Sequence, residues 1–89
     1  MIDLVWGSGF KRVFKKMVKP NPGLREDLFK ALKLFQSEPF HPTLKTHKLS
    51  GSLTNLYAFS LSYDWRVIFK FTAKDEAFLI TMGPHDKVY

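Results

Sequence analysis

The chain has 89 residues and a formal net charge of +6, and it contains no cysteine. This length provides one hydrophobic core and not two, so we expect a single domain over residues 1–89. The 45% hydrophobic content argues against a disordered tail, and the lack of cysteine excludes disulfide frameworks and thiolate metal sites. No signal peptide or apolar stretch of transmembrane length is present, so we expect a soluble cytoplasmic protein without a membrane partner.

The positive charge is concentrated in the first half of the chain. Residues 1–50 hold ten Lys/Arg against four Asp/Glu, whereas residues 51–89 hold four of each. A basic half on a small domain indicates an anionic partner, either nucleic acid or an acidic protein. A basic surface that only confers solubility is equally compatible with the composition.

Residues 2–6 predict a short first strand, and Ser8 is a candidate N-cap for the helix that follows. The apolar positions of this helix recur at amphipathic spacing: Phe10, Val13, Phe14, Met17 and Val18. Its other positions are cationic, with no acid among them: Lys11, Arg12, Lys15, Lys16 and Lys19. Mutual repulsion at i,i+4 indicates a partner, although a solvated face is the commoner meaning of such a run.

A second helix is predicted after the prolines at 20 and 22, with Asn21 as its N-cap and Pro22 at its first position. Its predicted buried stripe is Leu24, Leu28, Ala31, Leu32 and Phe35, and it should end before Pro39. The two helices then form an antiparallel hairpin, and residues 39–52 form a loop.

Three further strands are predicted at 53–61, 65–72 and 77–82, separated by short turns. In the middle strand, alternation assigns one set of side chains to the core: Trp65, Val67, Phe69 and Phe71. The opposite face then carries Arg66, Ile68 and Lys70. The order is β-α-α-β-β-β, an α+β fold in which the helix hairpin covers one face of a small, mainly antiparallel twisted sheet.

Three segments carry a family resemblance: HKLSG at 47–51, YDWRVIFKF at 63–71 and GPHDKVY at 83–89. In this order, behind a strand and a helix hairpin, they resemble the RelE/ParE superfamily of bacterial toxin–antitoxin toxins, nearest to its RelE/StbE or YafQ-like branch. The specific match covers residues 47–89, and residues 1–46 agree in architecture. The resemblance implies a microbial-RNase-like sheet, an endoribonuclease that cuts mRNA on the translating ribosome, and a cognate antitoxin that silences it.

The resemblance also implies site residues. His47 corresponds to the active-site histidine of the H-x-L-x-G segment, and Arg66 to the strand arginine that RelE-like toxins direct at phosphate. The other positions that match the family pattern are Asp64, Trp65, His85 and Tyr89. Two positions depart from it. Ser60 stands where YafQ-like toxins have a histidine and RelE-like toxins a lysine, and Thr81 stands where YafQ-like toxins have an arginine.

Metal-free RNA cleavage needs a base for the ribose 2′-OH, an acid for the 5′ leaving oxygen, and a cation for the phosphorane. His47 and His85 suit the two proton transfers, and Arg66 suits the phosphate oxygens. Asp64 would orient a histidine or accept a proton itself. Tyr89 would stack on a base or donate its phenol.

Other polar and aromatic residues have supporting roles in this hypothesis. Lys48 and Lys70 would attract phosphate, and Trp65 is a candidate RNA contact, although core packing is the commoner role for such a tryptophan. Asp64 has a plain alternative as a turn residue, and a loop histidine is most often simply exposed. His41 is assigned a structural role. No metal-ligand spacing occurs, so no metal or other cofactor is expected.

The sequence therefore predicts an mRNA endoribonuclease held inactive by an antitoxin. One alternative is a ParE-like toxin that inhibits DNA gyrase without cutting RNA, and another is a degenerate scaffold that only binds its antitoxin. In each case an acidic, partly disordered antitoxin segment is expected on the basic helix face: Lys11, Arg12, Lys15 and Lys16. The free protein is expected to be a monomer, and its antitoxin complex an oligomer.

Overall fold

The computed structural model describes residues 1–50, 55–62 and 64–84, which form helices packed on a five-stranded mixed sheet. The elements in chain order are β1 (Asp3–Trp6), α1 (Ser8–Val13), a π-helix (Phe14–Val18), α2 (Pro22–Ser37), a 3-10 turn (Pro42–Leu44), β2 (His47–Lys48), β3 (Tyr57–Ser60), β4 (Trp65–Ala73) and β5 (Glu76–Pro84). The α+β class and the predicted order of its main elements are confirmed.

The strands lie in the order β1-β5-β4-β3-β2, with β1 parallel to β5 and the other neighbours antiparallel. This confirms the predicted meander of β3, β4 and β5. The prediction of a loop through residues 47 and 48 was wrong, because His47 and Lys48 pair with Ala58 and Tyr57 to form β2. Two residues are too few to show a period-two pattern, so this strand exists only through its pairing with the β3 edge.

The first helix differs from its prediction in two respects. Its N-cap is Gly7, not Ser8, and no side chain caps it. Beyond Val13 the chain widens into the π-helix, in which the Lys19 amide donates to the Phe14 carbonyl at 2.7 Å. The wider turn rotates Met17 out of the apolar stripe, and this side chain is 48% exposed instead of buried.

The second helix confirms its prediction closely. Asn21 Oδ1 accepts from the Leu24 amide at 3.2 Å, Pro22 occupies the first position, and Leu28, Ala31, Leu32 and Phe35 are buried. Arg25 Nη1 donates to the Lys19 carbonyl at 2.6 Å and ties the start of α2 to the end of the π-helix. No helix in the described part of the chain is long and apolar enough to cross a membrane.

The core lies between α2 and one face of the sheet and centres on Phe35. The Phe35 ring stacks on Phe59 with centroids 4.9 Å apart and meets Phe69 edge-on at 4.8 Å. All three side chains are fully buried. Toward α1, Trp6 continues this packing through edge contacts with Phe10 at 4.8 Å and Phe14 at 5.1 Å.

Candidate functional site on the outer face of the sheet

The face of the sheet opposite the helices, here called the outer face, carries a row of paired residues. The strand registers place His47, Ala58, Ile68 and Thr81 opposite one another, in that order, across β2, β3, β4 and β5. A bulge that skips Ile80 keeps Thr81 opposite Ile68. His47 therefore lies on the same face as Arg66, two strands away and one row along, which puts their Cα atoms roughly 12 Å apart at the usual strand spacing and rise per residue.

Arg66 lies in the adjacent row, between Ser60 on β3 and Gly83 on β5. Its guanidinium is half-buried, and Nη1 donates to the Trp65 carbonyl at 3.1 Å, which holds the side chain back along its own strand. A guanidinium has five donor hydrogens, so this bond leaves others for an anion. Its cross-strand neighbours, Ser60 and Gly83, are both small and carry no charge that would compete for the guanidinium.

The floor of this face is apolar. Ile68 is 4% exposed and Ala58 is fully buried, although neither belongs to the core beneath the helices. Alternation in the sequence assigns Ile68 to the same face as Arg66 and Lys70 but gives it no role. In the structure Ile68 lies in the middle of the row, between Ala58 and Thr81. Apolar surroundings strengthen charge–phosphate interactions relative to water, which favours anion binding at the polar rim.

His47 is oriented by the backbone of the preceding turn. Its Nδ1 lies 3.0 Å from the Lys45 carbonyl, and Lys45 adopts the left-handed conformation (φ 52°) at the end of the 3-10 turn. A carbonyl oxygen only accepts, so this contact is a hydrogen bond in the tautomer that carries the proton on Nδ1. An imidazole held in this tautomer suits a general base.

Lys70 shares the outer face with Arg66, four residues further along β4, or about 13 Å at the usual rise per residue. Its Nζ lies 5.7 Å from the centroid of the Phe78 ring, so the ammonium group is supported by a cation–π contact. It is exposed to solvent. Lys70 is thus available to a phosphate some distance from the one that Arg66 would contact.

The structure does not bring Lys48 and Trp65 to this face. Lys48 pairs with Tyr57, which pairs with Phe69 of the core, so Lys48 belongs to the helix-side face of the sheet. Trp65 is partly buried and packs against the same core. Both residues therefore lie on the face opposite Arg66, as alternation already assigned for Trp65, and their roles in RNA binding stay predictions.

The remaining candidate residues have different positions. Asp64 is exposed in the turn before β4, where the Trp65 amide donates to the Ser62 carbonyl at 2.9 Å. His85 and Tyr89 lie outside the described residues, so their predicted roles stay predictions. His41 accepts from the Thr43 amide through Nδ1 at 3.1 Å and caps the 3-10 turn, which supports its structural assignment.

Two surface features concern partner binding: the basic residues of the first helix and a groove that the sequence did not predict. Lys11, Arg12, Lys15 and Lys16 are all exposed. The groove, about 490 Å³, runs between β1 and α2 and is lined mainly by Met1, Leu4, Trp6, Phe29 and Leu32, with Lys33 at its lip. Phe29 is 48% exposed and stacks on Trp6 with centroids 6.4 Å apart. In the sequence, Phe29 is a large apolar residue outside the predicted buried stripe of α2, and this is the feature that could have indicated the groove.

No protein-family model and no curated protein matches this sequence. Solved structures of toxins do match the fold. A metal-bound toxin from Helicobacter pylori is similar with a TM-score of 0.79 and 24% identity, covering all of both chains. The E. coli DinJ–YafQ toxin–antitoxin complex gives 0.79 and 18%, covering 99% of this chain and 97% of that one. A YoeB/ParE toxin from Agrobacterium tumefaciens gives 0.78 and 14%, covering 94% and 99%.

These likenesses confirm the predicted fold, which this chain shares with the YafQ and YoeB/ParE toxins. Two helices on a mixed five-stranded sheet are the architecture shared with YafQ. Within the described ranges of this chain, no cluster of His, Asp and Glu side chains has the arrangement of a metal site.

Proposed function

We propose that this chain is the toxin of a type II toxin–antitoxin system and that it cuts mRNA at the outer face of the sheet. The observation that carries the proposal is Arg66, held between the small residues Ser60 and Gly83 beside an apolar floor, with His47 on the same face. A fixed cation and an oriented imidazole on one face can supply the phosphate stabiliser and the proton acceptor that phosphodiester chemistry needs without a metal.

In the proposed reaction the ribose 2′-oxygen attacks the adjacent phosphorus and the bond from phosphorus to the 5′-oxygen breaks. His47 Nε2 takes the 2′ proton, and the Arg66 guanidinium stabilises the charge that develops on the non-bridging oxygens. His85 donates a proton to the leaving 5′-oxygen, with Asp64 and Tyr89 as supporting groups, as their sequence positions predict. Lys70 contacts a neighbouring phosphate. The target is mRNA under translation on the ribosome, in the cytoplasm.

The partner that would silence this activity is an antitoxin with an acidic, partly disordered segment. Support comes from the fold, which is shared with the toxin of the DinJ–YafQ toxin–antitoxin complex, and from the helix hairpin surface. The exposed cations of α1 and the π-helix suit acidic side chains, and the groove around Phe29 suits apolar anchors. The acidic segment would also offset the net charge of +6.

The test is primer extension on a reporter mRNA in a cell-free translation reaction. Wild-type protein should produce discrete cleavages that require ribosomes, and Arg66→Ala should reduce them by about 10²–10³-fold, as when one transition-state donor is lost. His47→Ala and His85→Ala should also reduce cleavage. Lys74→Ala, which changes an exposed lysine in the β4–β5 turn, is the control and should cut like wild type. Intact mRNA with folded wild-type protein would remove the nuclease proposal.

A second candidate function follows from Ser60 and Thr81, which lie across from Arg66 and Ile68 on the outer face. Neither hydroxyl transfers protons readily near neutral pH, so this face has fewer groups for catalysis than the family pattern provides. A ParE-like toxin that blocks DNA gyrase through protein contacts needs none of them. Inhibition of gyrase supercoiling with intact mRNA would favour this function, and antitoxin binding without either activity would indicate a degenerate scaffold.

A further inference from the structure

A single turn connects two histidines, of which the reaction proposed above uses only one. At its start, the Thr43 amide donates to His41 Nδ1 at 3.1 Å. At its end, the Lys45 carbonyl lies 3.0 Å from His47 Nδ1. Between them lies the 3-10 turn Pro42–Leu44. The two imidazole rings are therefore linked through a few bonds of the backbone.

The direction of the Lys45 carbonyl depends on the left-handed conformation of that residue (φ 52°, ψ 38°). A lysine seldom adopts this conformation, because its Cβ approaches the following carbonyl oxygen, so neighbouring bonds have to hold it. Two of these bonds are made by the backbone. The Leu44 amide donates to the His41 carbonyl at 2.9 Å, and the Lys45 amide donates to the Pro42 carbonyl at 3.2 Å. The third is the cap on the Thr43 amide, and its acceptor is the His41 ring.

Pro42 makes the His41 ring important for this turn. Proline has no N–H, so the Thr43 amide is the first donor of the turn, and no carbonyl inside the turn accepts from it. Without the ring, this amide is left to solvent and one of the three bonds that hold the turn is lost. A weaker turn lets Lys45 leave its left-handed conformation, and its carbonyl then turns away from His47.

Other contacts hold the two ends of the segment in place. Thr46 Oγ1 donates to the Pro39 carbonyl at 2.5 Å. The Leu44 side chain is buried in the core, and β2 joins the end of the segment to the sheet. These contacts do not set the direction of the Lys45 carbonyl. Loss of the cap should therefore change the orientation of the His47 ring without unfolding the segment.

We propose that His41 is a positioning residue for His47. Its ring caps the turn, the turn sets the Lys45 carbonyl, and that carbonyl holds the His47 imidazole in the tautomer with the proton on Nδ1. The inference rests on the proposed nuclease function, in which His47 Nε2 takes the 2′ proton. Replacing His41 by alanine should lower the cleavage rate about three- to tenfold, the size of effect expected from the loss of one cap.

The same arrangement makes the position of His47 sensitive to pH. Nδ1 of His41 accepts a hydrogen bond only while it carries no proton, and a protonated ring would present an N–H to the N–H of Thr43. Histidine changes charge between about pH 5 and 8, so the cap is present at the upper end of this window and lost at the lower end. The titratable groups around the turn in the described ranges are Asp27, Lys30, Glu38, Lys45, His47, Lys48 and Tyr57. Among these described residues, none forms an ion pair with His41.

The first experiment reads the His47 tautomer from long-range proton–nitrogen NMR spectra of the isotope-labelled free protein at about pH 8, where the rings are neutral. Wild type should carry the proton on Nδ1. His41→Ala should shift the ring toward the mixture of tautomers of an unconstrained imidazole, and His41→Asn, whose side chain also caps, should restore the wild-type form. Thr43→Ala shortens a neighbouring side chain but keeps the capped amide, so it is the matched control and should behave like wild type. A wild-type ring with the proton on Nε2, or an unchanged tautomer in His41→Ala, overturns the positioning role.

A second measurement needs no variant that loses the cap. It follows the NMR resonance of the Thr43 amide from about pH 8 to 5 in wild type and in His41→Asn. The resonance should shift in wild type as the His41 ring gains a proton, and it should stay nearly constant in His41→Asn. A resonance that is constant in wild type, or that moves equally in both proteins, overturns the pH dependence.

Primer extension then connects the turn with cleavage. His41→Ala should cut mRNA about three- to tenfold more slowly than wild type, and His41→Asn should cut at nearly the wild-type rate. As the pH falls, cleavage should decrease more steeply in wild type, where both histidines gain a proton, than in His41→Asn. Equal rates in His41→Ala and wild type overturn this inference and leave the nuclease in place. Intact mRNA with wild-type protein, together with the expected tautomer changes, removes the proposed function and keeps the link between the two rings.

Discussion

The two faces of the sheet are built from alternate residues of the same strands and have different properties. On the helix side, Val67 and Phe69 of β4 are fully buried against α2. On the outer face, Arg66 and Lys70 surround an apolar floor centred on Ile68. A change at one residue of β4 should therefore affect stability, and a change at the next should affect activity. This separation lets a small domain vary its site without losing its core.

The largest effect is expected on the helix side. Phe35→Ala removes the ring that packs on Phe59 and Phe69, and the cavity should lower the free energy of unfolding by about 3–5 kcal/mol. Urea denaturation followed by circular dichroism measures the change. Phe40→Ala is the matched control, because that ring is 60% exposed and its loss should cost far less. Equal losses in the two variants would contradict the position of the core.

A smaller effect is expected on the surface of the helix hairpin, where binding and not stability should change. Reversing Lys11, Arg12, Lys15 and Lys16 to Glu together should weaken the docking of an acidic antitoxin by about tenfold or more, since exposed ion pairs contribute about 0.2–1 kcal/mol each. Isothermal titration calorimetry at low salt measures the affinity. Lys15→Glu and Lys74→Glu change the net charge equally, the first on the basic helix face and the second in the β4–β5 turn. Comparing their affinities separates the effect of position from the effect of net charge. Unchanged affinity in the fourfold variant would exclude this face as the docking site.

A substitution at Gly7, in the junction between β1 and α1, tests how closely this part of the chain approaches β5. A Cβ at Gly7 would lie 2.7 Å from both the Leu79 carbonyl oxygen and the Phe78 ring. Gly7→Ala should therefore lower the free energy of unfolding by about 1–3 kcal/mol, the usual cost of overpacking. Gly23→Ala is the control. Its nearest neighbour is Asn21 Oδ1 at 3.7 Å, so alanine fits there and should stabilise α2 by about 0.4–1 kcal/mol. Thermal melts with the same sign for both variants would contradict this packing.

The smallest effect concerns helix capping. Asn21→Ala loses the hydrogen bond to the Leu24 amide and should cost about 1 kcal/mol. Ser8→Ala should be nearly neutral, since Gly7 is the N-cap and the Ser8 side chain caps nothing. Chemical denaturation measures the free energy of unfolding of both variants. It compares the Asn21 cap, which the structure contains, with the Ser8 cap, which only the sequence predicted. A larger loss in Ser8→Ala would mean that α1 begins one residue later.

Local patterns in the sequence determined much of the fold and part of the site. The alternation through β4, the apolar stripe of α2 and the Asn21 cap depend on residues within a few positions of each other, so periods of 2 and 3.6 reveal them. The same alternation correctly assigned Arg66 and Lys70 to the face opposite the core.

Only the tertiary structure decided the features that depend on distant segments. β2 exists because the β3 edge accepts it, and that pairing puts His47 on the outer face and Lys48 on the other. The groove at Phe29 needs β1 beside α2. Cross-strand pairing and the lengths of neighbouring strands are properties of the folded chain, and no local spacing encodes them.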